Sequence, residues 1–254
     1  MLRAQRLTLR GRHLVYLDAG GGGAPLLALH GHFGRARTFD RLAVALAPEW
    51  RVVALEQRGH GRSSPAGDYD RDGYVADAAH AISALGLAPA VVLGHSLGGV
   101  NAFQLAARRP EFVRAVIVED APAVVAPRPE ILSDLAGRFS SLRALREAAG
   151  DDTFLLESAF EDDDGWGFRF DPAAINRSRT LLAGDLWADW LASSHPLLLM
   201  RGGESDFLPR PLAAEMAARR PHTRLVEFPD AGHHIHDDDP AGFAAAVRSF
   251  LAEI

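Results

Sequence analysis

Ser96 stands between two glycines in Gly94-His95-Ser96-Leu97-Gly98, with the apolar run Ala90–Leu93 before it and a helical pattern, Val100–Arg108, after it. A serine at a sharp strand-to-helix turn is positioned for nucleophilic attack. Side chains two residues before and two after it would collide, so glycine is needed at both places. The backbone N–H of Leu97, at the start of the helix, would point to where an oxyanion forms.

A serine hydroxyl needs a base within hydrogen-bond reach, and the base needs an orienting acid. In Pro229-Asp230-Ala231-Gly232-His233 a histidine follows the last apolar strand, so His233 is the expected base. The acid should leave a neighbouring strand at the same edge. Asp206, in Gly203-Glu204-Ser205-Asp206, is the preferred reading, and Glu119 and Asp120, at the end of an earlier strand, are the alternatives. The loop His30-Gly31-His32 should supply a second oxyanion donor through the N–H of His32. The His32 side chain either lines the pocket or is solvated. His30 is expected to fix the loop rather than do chemistry.

The 254 residues allow one large α/β domain or one with an insertion, and 48% apolar residues suffice for its core. The sequence contains no lysine and no cysteine. That removes Schiff-base and P-loop lysine chemistry, thiol nucleophiles, disulfides and zinc–thiolate sites. A net charge of −6 leaves no basic footprint for nucleic acid. No run approaches the roughly 20 apolar residues of a membrane span, and the first residues lack a signal-peptide pattern. A soluble, cytoplasmic protein is expected.

Strands and helices alternate through a hairpin (Arg6–Arg10, His13–Asp18), buried strands at Pro25–His30, Arg51–Leu55, Ala90–Leu93 and Val113–Val118, and helices between them, an order that argues for a parallel sheet. The alternation breaks from about Ala123 to Ser194, where helical spacing covers Pro127–Ala149, Thr153–Phe160, Pro172–Leu182 and Leu186–Ala192. The expected organisation is a core of residues 1–122 and 195–254 with an inserted helical cap, 123–194. Cap aromatics (Phe154, Phe160, Trp166, Phe168, Phe170, Trp187, Trp190) suggest a partly apolar substrate. Strands Pro196–Met200 and Thr223–Phe228 and helices Pro211–Ala218 and Pro240–Ala252 complete the core.

Together His30-Gly31-His32, Arg58-Gly59-His60-Gly61-Arg62-Ser63, Gly94-His95-Ser96-Leu97-Gly98-Gly99, Gly203-Glu204-Ser205-Asp206 and Gly232-His233 resemble the α/β-hydrolase family, in its small bacterial esterase, cofactor-free haloperoxidase-like and C–C hydrolase branch. The resemblance implies a mostly parallel eight-stranded sheet with a helical cap after the sixth strand. It implies carboxylic ester cleavage through an acyl-enzyme, without a cofactor, on a small molecule. C–C hydrolysis, lactonase or perhydrolase activity with the same triad are alternatives, as is a small-molecule receptor on this scaffold. Serine rather than aspartate at position 96 disfavours dehalogenase and epoxide hydrolase chemistry. The run His233–Asp239, three histidines and three aspartates, has ligand-type residues, but Pro240 starts a helix that an aspartate before it would cap, so no metal is expected. Glu161–Asp164 reads as a solvated loop whose field opposes anionic substrates. Oligomeric state is not legible.

Overall fold

The computed structural model describes residues 3–9, 11–127, 135–150 and 152–254. The core strands are β1 (Arg3–Leu9), β2 (Arg12–Asp18), β3 (Ala24–Leu29), β4 (Trp50–Leu55), β5 (Ala90–His95) and β6 (Val113–Glu119). Helices α1 (Asp40–Leu46), α2 (Arg71–Ala84) and α3 (Leu97–Arg108) connect them. A short strand β7 (Val124–Val125) opens the interruption. It contains α4 (Leu142–Ala149), α5 (Thr153–Leu156), a hairpin of β8 (Ala159–Asp162) and β9 (Gly165–Phe168), α6 (Pro172–Leu182), β10 (Gly184–Asp185) and α7 (Trp187–Leu191). The core resumes with β11 (Leu197–Gly202), α8 (Arg210–Arg219), β12 (Thr223–Phe228), α9 (Ile235–Asp238) and α10 (Pro240–Leu251).

Eight strands form one sheet in the order β1-β2-β4-β3-β5-β6-β11-β12. β2 runs antiparallel to β1 and β4, and every other pairing is parallel. This is the eight-stranded, mostly parallel sheet that the family resemblance implies. The centre explains the apolar runs: all six residues of β5 are buried, as a strand covered on both faces requires. One face packs on α2, α3 and α8 around Leu29, Val92, Phe103 and Leu199. The other packs on α1 and α10 around Leu26, Phe39, Val91, Phe243 and Val247. Parallel register brings the carboxyl ends of the central strands to one edge, with Leu29 opposite Gly94 and His95 opposite Glu119.

The interruption differs from the helical reading in three places. Residues 159–168 form the β8–β9 hairpin rather than continuing the helix that starts at Thr153. Helix α4 covers only the end of the Pro127–Ala149 pattern, whose residues 128–134 lie outside the described residues. Trp190 is fully buried in the main core, edge-to-face with Phe103 at 5.4 Å, and its indole N–H donates to the Met216 carbonyl. Trp187 packs against that same core. A separate small apolar cluster, Leu135, Leu145, Leu155, Phe168, Phe170 and Ile175, gives residues 135–175 their own interior. The two ends of the interruption are stitched together where β7 pairs with β10 and the Leu186 N–H donates to the Ala123 carbonyl.

Candidate active site

Ser96 occupies the tight turn between β5 and α3 with φ 52° and ψ −117°, a left-handed conformation that is costly for a non-glycine residue. Its two glycine neighbours have steric reasons to be glycine. A Cβ on Gly94 would stand 2.0 Å from the Gly98 carbonyl oxygen, and one on Gly98 would stand 2.0 Å from that of Leu29. The serine N–H donates to the Glu119 carbonyl at 2.9 Å, which ties the turn to the end of β6. Leu97 is the first residue of α3, where an N–H has no partner within the helix.

His233 Nδ1 lies 2.7 Å from Asp120 Oδ2. The structure therefore joins His233 to the alternative acid, Asp120, and not to Asp206. Asp120 is fully buried one residue beyond β6, with φ 46°. Its carboxylate also accepts from the Gly202 N–H at 3.1 Å and from the Ser205 hydroxyl. Three donors converge on it, as a buried carboxylate requires. Asp206 is exposed in the loop after β11 and lines the cavity beside Ser96. Its neighbour Phe207 stacks on the His233 ring at 3.7 Å between centroids.

Glu119, the other alternative, takes a different histidine. It accepts from the backbone N–H of His236 at 2.9 Å and lies 2.7 Å from His236 Nδ1. Burial works to lower the His236 pKa, but the charge and hydrogen bond of Glu119 and the charges of Asp237 and Asp238 raise it. His95 Nε2 donates to the His233 carbonyl at 2.9 Å, and burial holds His95 well below the usual histidine range, hence neutral. His95, Glu119 and His236 bring ligand-type atoms within 4.8 Å of one another and could hold a cation, although Glu119 and His236 already satisfy each other in part. Of the aspartates in the His233–Asp239 run, Asp239 caps α10 by accepting from the Gly242 N–H and Asp238 ties down the preceding loop by accepting from the Gly232 N–H, both at 2.8 Å.

The His30 loop is held from below. His30 Nδ1 lies 2.7 Å from the Gly31 carbonyl, and Nε2 accepts from the Gln57 N–H at 3.0 Å. That arrangement fits a neutral ring, and burial pushes the His30 pKa down to about 3. The His32 side chain lines the cavity and contacts the Ser178 hydroxyl at 2.9 Å, which in turn lies 3.0 Å from the Tyr74 hydroxyl.

The cavity at Ser96 has a volume of about 220 Å³. Its apolar wall comes from Val100, Val124, Val125, Leu182, Phe207 and Leu212. The aromatics of the interruption face elsewhere: Phe160 lies under the guanidiniums of Arg138 and Arg169, and Phe168 and Phe170 stack in the small cluster.

A sequence model of the alpha/beta hydrolase family matches residues 26–246, and the chain belongs to that family. It is similar to the sn-1-specific diacylglycerol lipase of Mus musculus, with 29% identity over 89% of this chain and 80% of the lipase. It is similar to the 3-hydroxybutyrate-oligomer hydrolase of Cupriavidus necator, with 32% identity over 89% of this chain and 87% of that protein. Among solved structures it resembles E-2-(acetamidomethylene)succinate hydrolase, with a TM-score of 0.87 and 25% identity over 99% of this chain and 100% of that one. Among the described residues no helix is long and apolar enough to cross a membrane.

Proposed function

We propose that this chain is a serine hydrolase that cleaves carboxylic esters with short, partly apolar acyl groups. Ser96 attacks the carbonyl carbon while His233 takes its proton, and Asp120 holds the imidazole and stabilises its charged form. The N–H groups of Leu97 and His32 receive the oxyanion. His233 then protonates the leaving alcohol, and water activated by the same histidine hydrolyses the acyl-enzyme. Neither step calls for a cofactor.

The observation that carries this reading is the 2.7 Å contact of His233 with a fully buried Asp120, beside a strained serine at the start of α3. The Ser96 hydroxyl and His233 share no hydrogen bond among the described residues, and catalytic contacts of this kind often tighten only when substrate binds. The names of the similar lipase and oligomer hydrolase are compatible with ester cleavage. A cytoplasmic location is part of the proposal, and the cysteine-free composition suits a reducing compartment.

Hydrolysis of a chain-length series of 4-nitrophenyl esters, with wild type beside Ser96→Ala, tests it. A cavity of about 220 Å³ should give a maximum at a short acyl chain. Loss of Ser96 should lower kcat by about 10⁴-fold or more. Turnover that survives in Ser96→Ala would overturn the mechanism.

A further inference from the structure

Asn101 lies on α3, one turn after Leu97, and is fully buried. Asparagine is a poor helix former, and its amide is costly in a core unless both ends find partners. Both ends of this amide do. Its Oδ1 accepts from Arg71 Nη2 at 3.0 Å, and its Nδ2 donates to Gln57 Oε1 at 2.6 Å. Gln57, buried in the loop after β4, extends the link: its Nε2 donates to the His30 carbonyl at 2.5 Å. The Gln57 backbone N–H also donates to His30 Nε2 at 3.0 Å, so one residue grips both the carbonyl and the ring of His30. Neither Asn101 nor Gln57 is among the described residues that line the cavity, and neither takes part in the reaction steps.

The links end at the oxyanion donors. With Nε2 accepting, His30 Nδ1 carries the ring proton and donates to the Gly31 carbonyl at 2.7 Å. The Gly34 N–H donates to the same carbonyl at 3.2 Å. That carbonyl and the His32 N–H belong to one planar peptide, so holding the oxygen fixes the direction of the N–H. The other donor, the Leu97 N–H, starts the helix that carries Asn101. The Asn101–Gln57–His30 hydrogen bonds therefore tie together two donors that come from the ends of different strands, β5 and β3. The start of α3 also presses on the end of β3, where a Cβ on Gly98 would stand 2.8 Å from the His30 carbonyl oxygen. The amides run head to tail from the Arg71 guanidinium, and each link polarises the next.

We propose that Asn101 and Gln57 are positioning residues for ester cleavage: through His30 they hold the His32 N–H at the distance and angle from the Leu97 N–H that the oxyanion needs. This rests on the hydrolase reading above. An oxyanion hole works because its donors are aimed before charge develops, and an error of about 1 Å in such a group costs on the order of 100-fold in rate. The ground-state ester, with less charge on its carbonyl oxygen, gains less from the same alignment.

Gln57→Met and Asn101→Leu nearly keep the volume of each side chain and remove its hydrogen bonds. On 4-nitrophenyl acetate each should lower kcat by at least about tenfold while KM moves by less than about threefold. The Ki of a methyl trifluoromethyl ketone should rise by at least about tenfold as well. Ser96 adds to its carbonyl carbon, the hydroxyl proton passes to His233, and the new oxyanion faces the same N–H groups. The double variant should be no more than about threefold slower than the slower single one, because one chain of links is broken either way. A smaller loss of kcat in a folded variant, a loss that appears in KM instead, or an inhibitor bound as tightly as before would overturn the role. If either variant fails to fold, Gln57→Asn and Asn101→Ser carry the same expectations, since their shorter side chains cannot reach both partners. An inactive wild type, or a Ser96→Ala variant as fast as wild type, removes the hydrolase reading and this role with it, whereas an active wild type with unaffected variants removes this role alone.

Discussion

Glu119, the last residue of β6, and Asp120 next to it each hold a different histidine: Asp120 meets His233 in the loop after β12 and Glu119 meets His236 on α9, both at 2.7 Å. The two carboxylates are fully buried, so their roles can be separated by substitution.

Asp120→Asn should lower kcat on a short 4-nitrophenyl ester by about 10³- to 10⁴-fold, the cost of holding the base in the wrong tautomer. Asp206→Asn should change kcat by less than about tenfold, because Asp206 touches the cavity and not His233. Steady-state kinetics on the two variants decides which aspartate is the acid, and the reverse order would restore Asp206.

Gly98→Ala should be destabilising by about 3 kcal/mol or more, since its Cβ would meet the Leu29 carbonyl oxygen 2.0 Å away and backbone cannot yield as a side chain does. Gly22→Ala, where the added carbon meets nothing within 4 Å, is the control and should leave stability within about 0.5 kcal/mol. Urea unfolding measures both.

Asp77→Asn should cost about 3–5 kcal/mol, the usual loss when one partner of a buried ion pair is removed. Asp77 receives Arg58 Nε at 2.9 Å, and Arg12 binds the same carboxylate. Since Arg58 also donates to Asp68 and to the Gly73 carbonyl, the loop after β4 should become more open to hydrogen exchange.

Acid should weaken the fold before it protonates most carboxylates. Burial lowers His30 to about 3 and His60 to about 4, from an ordinary 6.5. Both are neutral when folded but take up protons when unfolded below pH 6.5. Their contribution is therefore complete above pH 6.5 and is lost as pH falls toward the folded values. Between pH 7 and pH 5 each should cost on the order of 2 kcal/mol. His236, whose pKa is raised, works the opposite way, contributing at low pH and losing its effect as pH rises. Urea midpoints at pH 7 and pH 5 check the net sign, and His60→Gln should flatten the slope if that side chain folds normally.

The serine turn is legible in the sequence because its demands are local: two glycines, an apolar strand and a helix lie within the nineteen residues Ala90–Arg108. A parallel sheet follows from apolar runs spaced by helices, and its eight strands from the family resemblance. The acid is not legible, because the choice between Asp206 and Asp120 depends on which loop reaches His233 in three dimensions. One signal is available. Two adjacent carboxylates at the end of an otherwise apolar strand are expensive unless both find partners. His233 and His236, three residues apart, are such partners. The β8–β9 hairpin escapes for a related reason. Thr153–Phe160 reads as a helix and Glu161–Asp164 as a solvated loop, although Asp163-Asp164-Gly165 carries a turn signal and Gly165 adopts φ 107°. Cap aromatics likewise point to the pocket, whereas most of them partner one another, arginines and the main core, and Phe154 packs on His234.

The paired ends of the interruption, β7 against β10, have an evolutionary consequence. The chain departs from the sheet and rejoins it through neighbouring, hydrogen-bonded residues, so whatever is spliced between Val125 and Gly184 closes on a fixed doorway. Lengthening a loop within that stretch costs only the slow growth of loop entropy, whereas α6 is tied to the core through Ala174, Leu182 and Ser178. A change between Val125 and Gly184 would thus alter the wall that Arg179 and Leu182 give the cavity while the turn at Ser96 stays in place.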